Sequence, residues 1–266
     1  MTTTTQENRP HIVSLSGGTA SAVAADRVIN RFGKNQVTLW FADTLWEDED
    51  LHRFLNDCSE RWGLPITVST EGRTPLQVAE DRKIIPNNRI APCSSVLKQL
   101  QFKAFLASAP KPAWVYLGLD WTEEHRMERP KSEYEQIPGV QVEFPLTWPP
   151  LPTLKYYATV QSWGIKPPRL YDLGFPHNNC GGRCVRQGIK EWLRLKITFP
   201  ERFAEVRDWE QAQRAKGGAR ANFAIARDRS GGGTKPRTLA EIEQMKDDDP
   251  QLDLFQGDAF GCFCEY

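Results

Sequence analysis

The amino-acid sequence predicts a parallel α/β fold, a Rossmann-like sheet flanked by helices and followed by a helical C-terminal region. Three observations point there. Short apolar runs alternate with amphipathic segments through the first half, the pattern of crossover helices on a parallel sheet. The first run ends in a glycine turn that opens directly into an Ala-rich helix. After a proline cluster at 148–152 the strand pattern fades and helical spacing takes over. The chain has 266 residues, 39% hydrophobic and 26% charged, enough to bury a full core.

In order, strands are predicted at 11–15, 37–42, 66–69, 114–119 and 140–144, with helices at 19–32, 48–62, 75–81 and 94–107. Each strand is a short run rich in Val, Ile, Leu or aromatic residues. In the second helix Leu51, Phe54, Leu55, Cys58 and Trp62 share one face, so Cys58 is read as a core thiol. These elements make one α/β domain over 1–150, whose strand ends are where a ligand would sit. Further helices at 153–163, 185–197, 200–215 and 239–246 make a cysteine-containing region over 151–266, interrupted by a Gly-rich, flexible basic loop at 217–236.

Charge excludes some partners and suggests others. The 34 basic and 34 acidic residues cancel, so no global field marks a polyanion or membrane partner. The polar N-terminus lacks an apolar signal core, and no stretch approaches the ~18 apolar residues of a membrane span. A cytoplasmic protein without membrane contact is expected. Locally, 211–237 holds seven basic residues against Asp228, and 241–266 holds eight acids against Lys246. The basic segment is either a solvated surface facing the acidic one or a contact for a nucleic-acid substrate.

The strongest chemical signal is the strand-to-helix junction. Ser14 and Ser16-Gly17-Gly18-Thr19-Ala20-Ser21 place glycines, hydroxyls and helix-start N–H groups where an anion can sit. Read structurally, the same residues make an ordinary turn. Asp43 and Thr44 end the second predicted strand, where a carboxylate can accept ribose hydroxyls or cap the next helix. A second strand-then-polar-loop runs from Gly118 through Asp120 and Glu124 to Arg126.

Cysteine carries the second signal. Cys93 opens a predicted helix, where the dipole favours a thiolate. Cys180 and Cys184 flank a glycine turn, and Cys262 and Cys264 close the chain. Thiols drawn from three distant segments suit zinc or an iron-sulfur centre. Zinc with Cys180, Cys184 and His177 in a structural knuckle, or a metal-free dithiol at 262–264, are the competing readings.

In these motifs the chain resembles the PP-loop adenine nucleotide alpha hydrolases, in particular their phosphoadenosine phosphosulfate reductase-like branch. The Ser16 to Ser21 loop is similar to the family's S-G-G-x-D-S, Asp43-Thr44 to its strand-end D-T-G, and the loop from Gly118 to Arg126 to its G-x-R. The resemblance implies a HUP-type sheet binding ATP or a related adenine nucleotide, with Mg2+ as a further ligand. It implies a [4Fe-4S] cluster on Cys93, Cys180, Cys184 and Cys262, with Lys98 and Arg126 neutralising phosphate or sulfate charge and Cys264 as a redox thiol. The reaction expected first is ATP-dependent activation and sulfur transfer to a nucleic-acid base or small molecule from a sulfur donor. The alternatives are thiol-dependent reduction of a sulfonucleotide, and a non-catalytic nucleotide- or nucleic-acid-binding protein with structural zinc. Two positions depart from the family: Ala20 replaces the loop Asp, and Asp120 stands near the branch's arginine.

Overall fold

The computed structural model describes residues 9–149, 155–229 and 233–245. Its centre is β1 (His11–Leu15), buried along its whole length. Beside it run β2 (Val37–Asp43), β3 (Ile66–Thr70), β4 (Ala113–Tyr116) and β5 (Val140–Glu143). They pair in parallel in the order β3-β2-β1-β4-β5, with Val13 in register with both Leu39 and Tyr116. The chain therefore builds outward from β1 to β3 and then crosses to the opposite side of β1. Reversal at β1 and β4 opens a crevice at the carboxyl ends of those strands. The predicted α/β architecture is the observed one.

Period-two alternation sends side chains to two apolar layers. Val13, Leu15, Leu39, Phe41 and Tyr116 face α1 (Thr19–Phe32) and α2 (Glu49–Trp62). Ile12, Trp40, Ala42 and Val115 face α4 (Leu100–Ser108) and α5 (Glu128–Glu135). Burial on both faces explains why these strands are nearly continuous apolar runs. Helix α2 starts where the Asp48 side chain accepts from Asp50 N–H and stops at Gly63, φ 59. Between them lies the apolar stripe Leu51, Phe54, Leu55, Cys58 and Trp62, all buried. Helix α3 (Pro75–Asp81) opens on a Thr74–Gln77 capping box.

The C-terminal region contains α6 (Tyr156–Ser162), α7 (Arg169–Asp172), α8 (Ile189–Thr198), α9 (Pro200–Ala215) and α10 (Leu239–Glu243). Its core, built on Trp192, Leu195, Phe203 and Val206, also takes in Trp46, Leu76 and Ile85 from the first half. The two halves thus share buried surface. Among the described residues no helix is long and apolar enough to cross a membrane.

Several local details differ from expectation. The helix expected over 94–107 begins as a π-helical turn, Ser94–Gln99, before α4. The fourth strand ends at Tyr116, because Gly118 lies against the first turn of α1 instead of continuing the ladder. Within the basic segment, Gly218–Asn222 forms a 3-10 turn, and β6 (Ala226–Asp228) pairs with β7 (Lys235–Arg237) as an antiparallel ribbon. The cause lies in α9. The buried Glu210 carboxylate accepts from Ile225 N–H at 2.7 Å and Leu239 N–H at 2.6 Å, gripping both flanks of the ribbon.

Candidate nucleotide and thiol site

The β1–α1 junction forms a closed hydroxyl ring. Ser16 Oγ donates to Ser21 Oγ at 2.8 Å, Ser16 N–H donates to the same oxygen at 3.0 Å, and Ser21 Oγ donates to Gly18 O at 3.0 Å. Gly18 N–H donates to Ser16 Oγ at 3.3 Å. Two glycines are needed here for steric reasons. Gly17 has φ +78, and a Cβ there would lie 2.6 Å from Leu51 Cδ1; a Cβ on Gly118 would lie 2.9 Å from Ser21 Cα. No side chain caps α1 and no acid occupies its first turn. Its first N–H groups and the positive end of its dipole are therefore offered to an anion. Ala20 packs against the α1 side of the sheet core, so no carboxylate stands at that position.

Strand β2 delivers a second wall. Thr44 is buried and its hydroxyl donates to Glu47 Oε1 at 2.9 Å. The Glu47 side chain is only 1% exposed; Lys98 Nζ stands 3.8 Å from Oε1, and Cys180 N–H donates to Oε2 at 2.5 Å. Thr44, Cys93, Lys98, Cys180 and Cys184 line one narrow cleft, closed by Trp46, Pro75 and Val185. A neighbouring small cleft brings Ser14 and Lys98 together among Trp40, Phe102 and Tyr134. Lys98 thus borders both. It sits on the π-helical turn, a deformation common at functional positions.

Other expected residues are engaged elsewhere. Asp43 accepts from Leu45 N–H at 2.8 Å and lies 3.8 Å from His52. Asp120 caps the 3-10 turn Trp121–Arg126, accepts from Thr122 N–H and Oγ1 at 2.8 and 2.6 Å, and receives Tyr156 OH at 2.9 Å. Arg126 pairs with Glu123. Neither Asp120 nor Arg126 lines the thiol cleft. Cys262 and Cys264 lie outside the described residues.

Electrostatics separates the thiols and acids. Burial pushes the Cys58 thiol up to about 12, leaving it a packing residue. Burial also raises Glu123, against the pull of Arg126, and raises Tyr156, where the Asp120 carboxylate adds to the effect. Burial pushes Asp48 up, but hydrogen bonds from Arg169 and Arg202 outweigh it and leave its carboxyl below the ordinary range. Those two arginines reach Asp48 at 2.8 and 2.7 Å, fastening α7 and α9 to the start of α2 beside the cleft. Glu47, Asn178, Arg169 and Arg202 carry no local motif. Two adjacent acids just ahead of the second helix, Glu47-Asp48, are the only sequence trace of the arrangement.

A family model described as "Phosphoadenosine phosphosulfate reductase domain" matches residues 10–176, from β1 to the approach to the Cys180 turn. The chain belongs to this family. The phosphoadenosine phosphosulfate reductase domain thus spans the sheet, the glycine turn, Lys98 and Cys93, and ends just before Cys180. A phosphoadenylyl-sulfate reductase from Candida auris, solved as a phosphate complex, is similar at 15% identity over 62% of this chain and 78% of that one, with a TM-score of 0.42. No curated protein matches the chain.

None of the four described cysteines is in a disulfide, and three of them border the same cleft. Three soft donors around one space suit an iron-sulfur cluster or zinc. Among the described residues no three His, Cys, Asp or Glu side chains stand as a metal-holding group.

Proposed function

We propose that this family member is an enzyme of sulfur chemistry acting on an adenine nucleotide. The phosphate chain would rest on the Ser16–Ser21 turn, with reacting sulfur in the cleft bounded by Cys93, Cys180 and Cys184. The observation that carries the proposal is the shared wall: Thr44, Lys98 and three thiols line one space at the carboxyl end of the sheet. The N–H groups of the turn, the α1 dipole and the Lys98 ammonium would supply positive potential where phosphate charge develops. Ser14 would add a hydroxyl beside Lys98, and Asp43 is the candidate for the ribose. Gly118 is a packing requirement of the turn.

A [4Fe-4S] cluster on Cys93, Cys180, Cys184 and one terminal cysteine would supply an iron site able to bind sulfur or steady anionic charge. The chain's own residues would hold the nucleotide, keep water from the cleft and fix the thiols.

Two reactions use this arrangement. In the first, an acceptor oxygen attacks the ATP α-phosphorus, pyrophosphate leaves, and a sulfur nucleophile then displaces AMP from the adenylated acceptor. In the second, a thiolate attacks the sulfonyl sulfur of a sulfonucleotide and the S–O bond breaks, releasing the nucleotide. A second thiol then attacks the S-sulfocysteine, releasing sulfite and forming a disulfide, so that a dithiol supplies both electrons. The family match supports the second, and so does Ala20, which removes the carboxylate that a magnesium ion would use. Cys264 is the candidate attacking thiol.

Anaerobically purified chain, supplied in parallel with ATP plus sulfide and acceptors, and with sulfonucleotide plus dithiol, separates them. Pyrophosphate and AMP mark the first reaction, sulfite the second. Zinc as the sole metal with neither product would overturn the enzymatic reading in favour of a binding protein.

A further inference from the structure

Cys180, Gly181 and Gly182 follow one another at φ 53, 58 and 82. Glycine adopts this left-handed region freely, but a residue with a Cβ such as Cys180 does so only under external restraint. The restraint comes from side chains. Arg202 Nη1 donates to Gly181 O at 3.0 Å and Gln187 Nε2 to Gly182 O at 3.0 Å. Arg183 donates through Nε to Cys180 O at 3.3 Å and through Nη2 to Trp46 O at 3.0 Å.

Two further bonds run to the nucleotide wall. Cys180 N–H donates to Glu47 Oε2, the carboxylate that also receives Thr44 Oγ1 at the end of β2. Asn178 Nδ2 donates to Gly17 O at 3.1 Å, reaching the glycine turn across 161 residues of sequence. Asn178 is 2% exposed, and its Oδ1 has no hydrogen-bond partner among the described residues, so this amide is held in place by one bond to the turn. Removing either bond leaves a buried backbone group without its partner.

We propose that Asn178 and Glu47 are positioning residues that join the glycine turn and the thiol turn into one linked unit, so that a nucleotide seated on the first orders the second. The inference rests on the nucleotide reading above. It also assigns Glu47 a purpose: an anion beside an anion site is unfavourable unless its oxygens are spent on fixed donors, and here they are. Linkage makes the effect reciprocal, since whatever orders the thiol turn must tighten nucleotide binding by the same factor.

Hydrogen exchange of the full chain, read by mass spectrometry with saturating ATP or 3′-phosphoadenosine 5′-phosphosulfate, tests this. In the unaltered protein, nucleotide should slow peptides covering 14–21 and 177–184 together, the second by about fivefold or more. In the Asn178→Ala, Glu47→Gln double variant, 14–21 should still slow while 177–184 no longer responds. The near-isosteric Glu47→Gln alone should give an intermediate response. Slowing of 177–184 to the unaltered extent in the double variant, or slowing of 14–21 alone in the unaltered protein, would overturn the coupling. If neither peptide responds to either nucleotide in the unaltered protein, the nucleotide reading itself falls, and the inference with it.

Discussion

Gly118→Ala perturbs the phosphate turn without altering any atom that would face the phosphate. The added Cβ would sit 2.9 Å from Ser21 Cα, 3.2 Å from Ser21 N and 3.3 Å from Ser21 Cβ. Two of these are backbone atoms in the first turn of α1, so no flexible side-chain end can yield. Overpacking of this kind costs about 1–3 kcal/mol. For a chain of this length the corresponding fall in melting temperature is ~2–12 °C, at roughly 2–4 °C per kcal/mol. The same displacement pulls Ser21 Oγ away from Ser16 and Gly18 O. Losing one such hydrogen bond is worth ~1 kcal/mol, so nucleotide affinity should fall by about 2- to 10-fold. Calorimetric melting and isothermal titration with ATP and with a sulfonucleotide read the two effects separately. A Gly118→Ala variant with unaltered melting temperature and affinity would refute the claim that β4 and α1 meet in this way.

Three other predictions follow from the buried charges and thiols. Asp48→Asn removes the buried carboxylate that Arg169 and Arg202 share; because Arg169 is 39% exposed and both arginines keep Glu49 as a partner, the cost should not exceed the lower end for a broken buried pair, about 3 kcal/mol by denaturant unfolding. Its ionised form stabilises the fold and its folded pKa is depressed, so this contribution persists at neutral pH and is lost only as pH falls through that depressed value. Glu210 behaves oppositely. Burial raises its folded pKa despite two backbone hydrogen bonds, so the native state gains stability relative to Glu210→Gln as pH falls from neutrality through that value. A stability difference between the two proteins that does not change with pH would contradict this. Cys58, fully buried with its thiol pushed up to about 12, should resist iodoacetamide in the native protein and react only on unfolding, as peptide mapping would show.

Much of this was legible in the sequence because it is local. The glycine turn, the α1 start and the α2 stripe from Leu51 to Trp62 depend on residues within one or two turns of each other, and they form where expected. The contacts that make the site are long-range. Glu47 meets the Cys180 amide across 133 residues and Asn178 meets Gly17 across 161, distances at which spacing rules say nothing. Asp120 shows a different limit: an acid after a strand is equally suited to a ligand and to a helix cap, and here Thr122 and Tyr156 occupy it. The basic segment read as a loop from its glycines, yet Glu210, just ahead of it on α9 and outside any turn pattern, supplies the acceptors that allow a ribbon.

The central claim is that an adenine nucleotide rests on the Ser16–Ser21 turn beside the thiol cleft. Isothermal titration of the anaerobically purified protein and its Gly17→Ala variant with ATP and with 3′-phosphoadenosine 5′-phosphosulfate tests it most directly. An alanine there must adopt φ +78 and meet Leu51, so the turn cannot keep its shape. Saturable one-to-one binding of at least one nucleotide, weakened in the variant by about tenfold or more, is the predicted result. Binding unaffected by Gly17→Ala, or no binding of either nucleotide, would contradict the account.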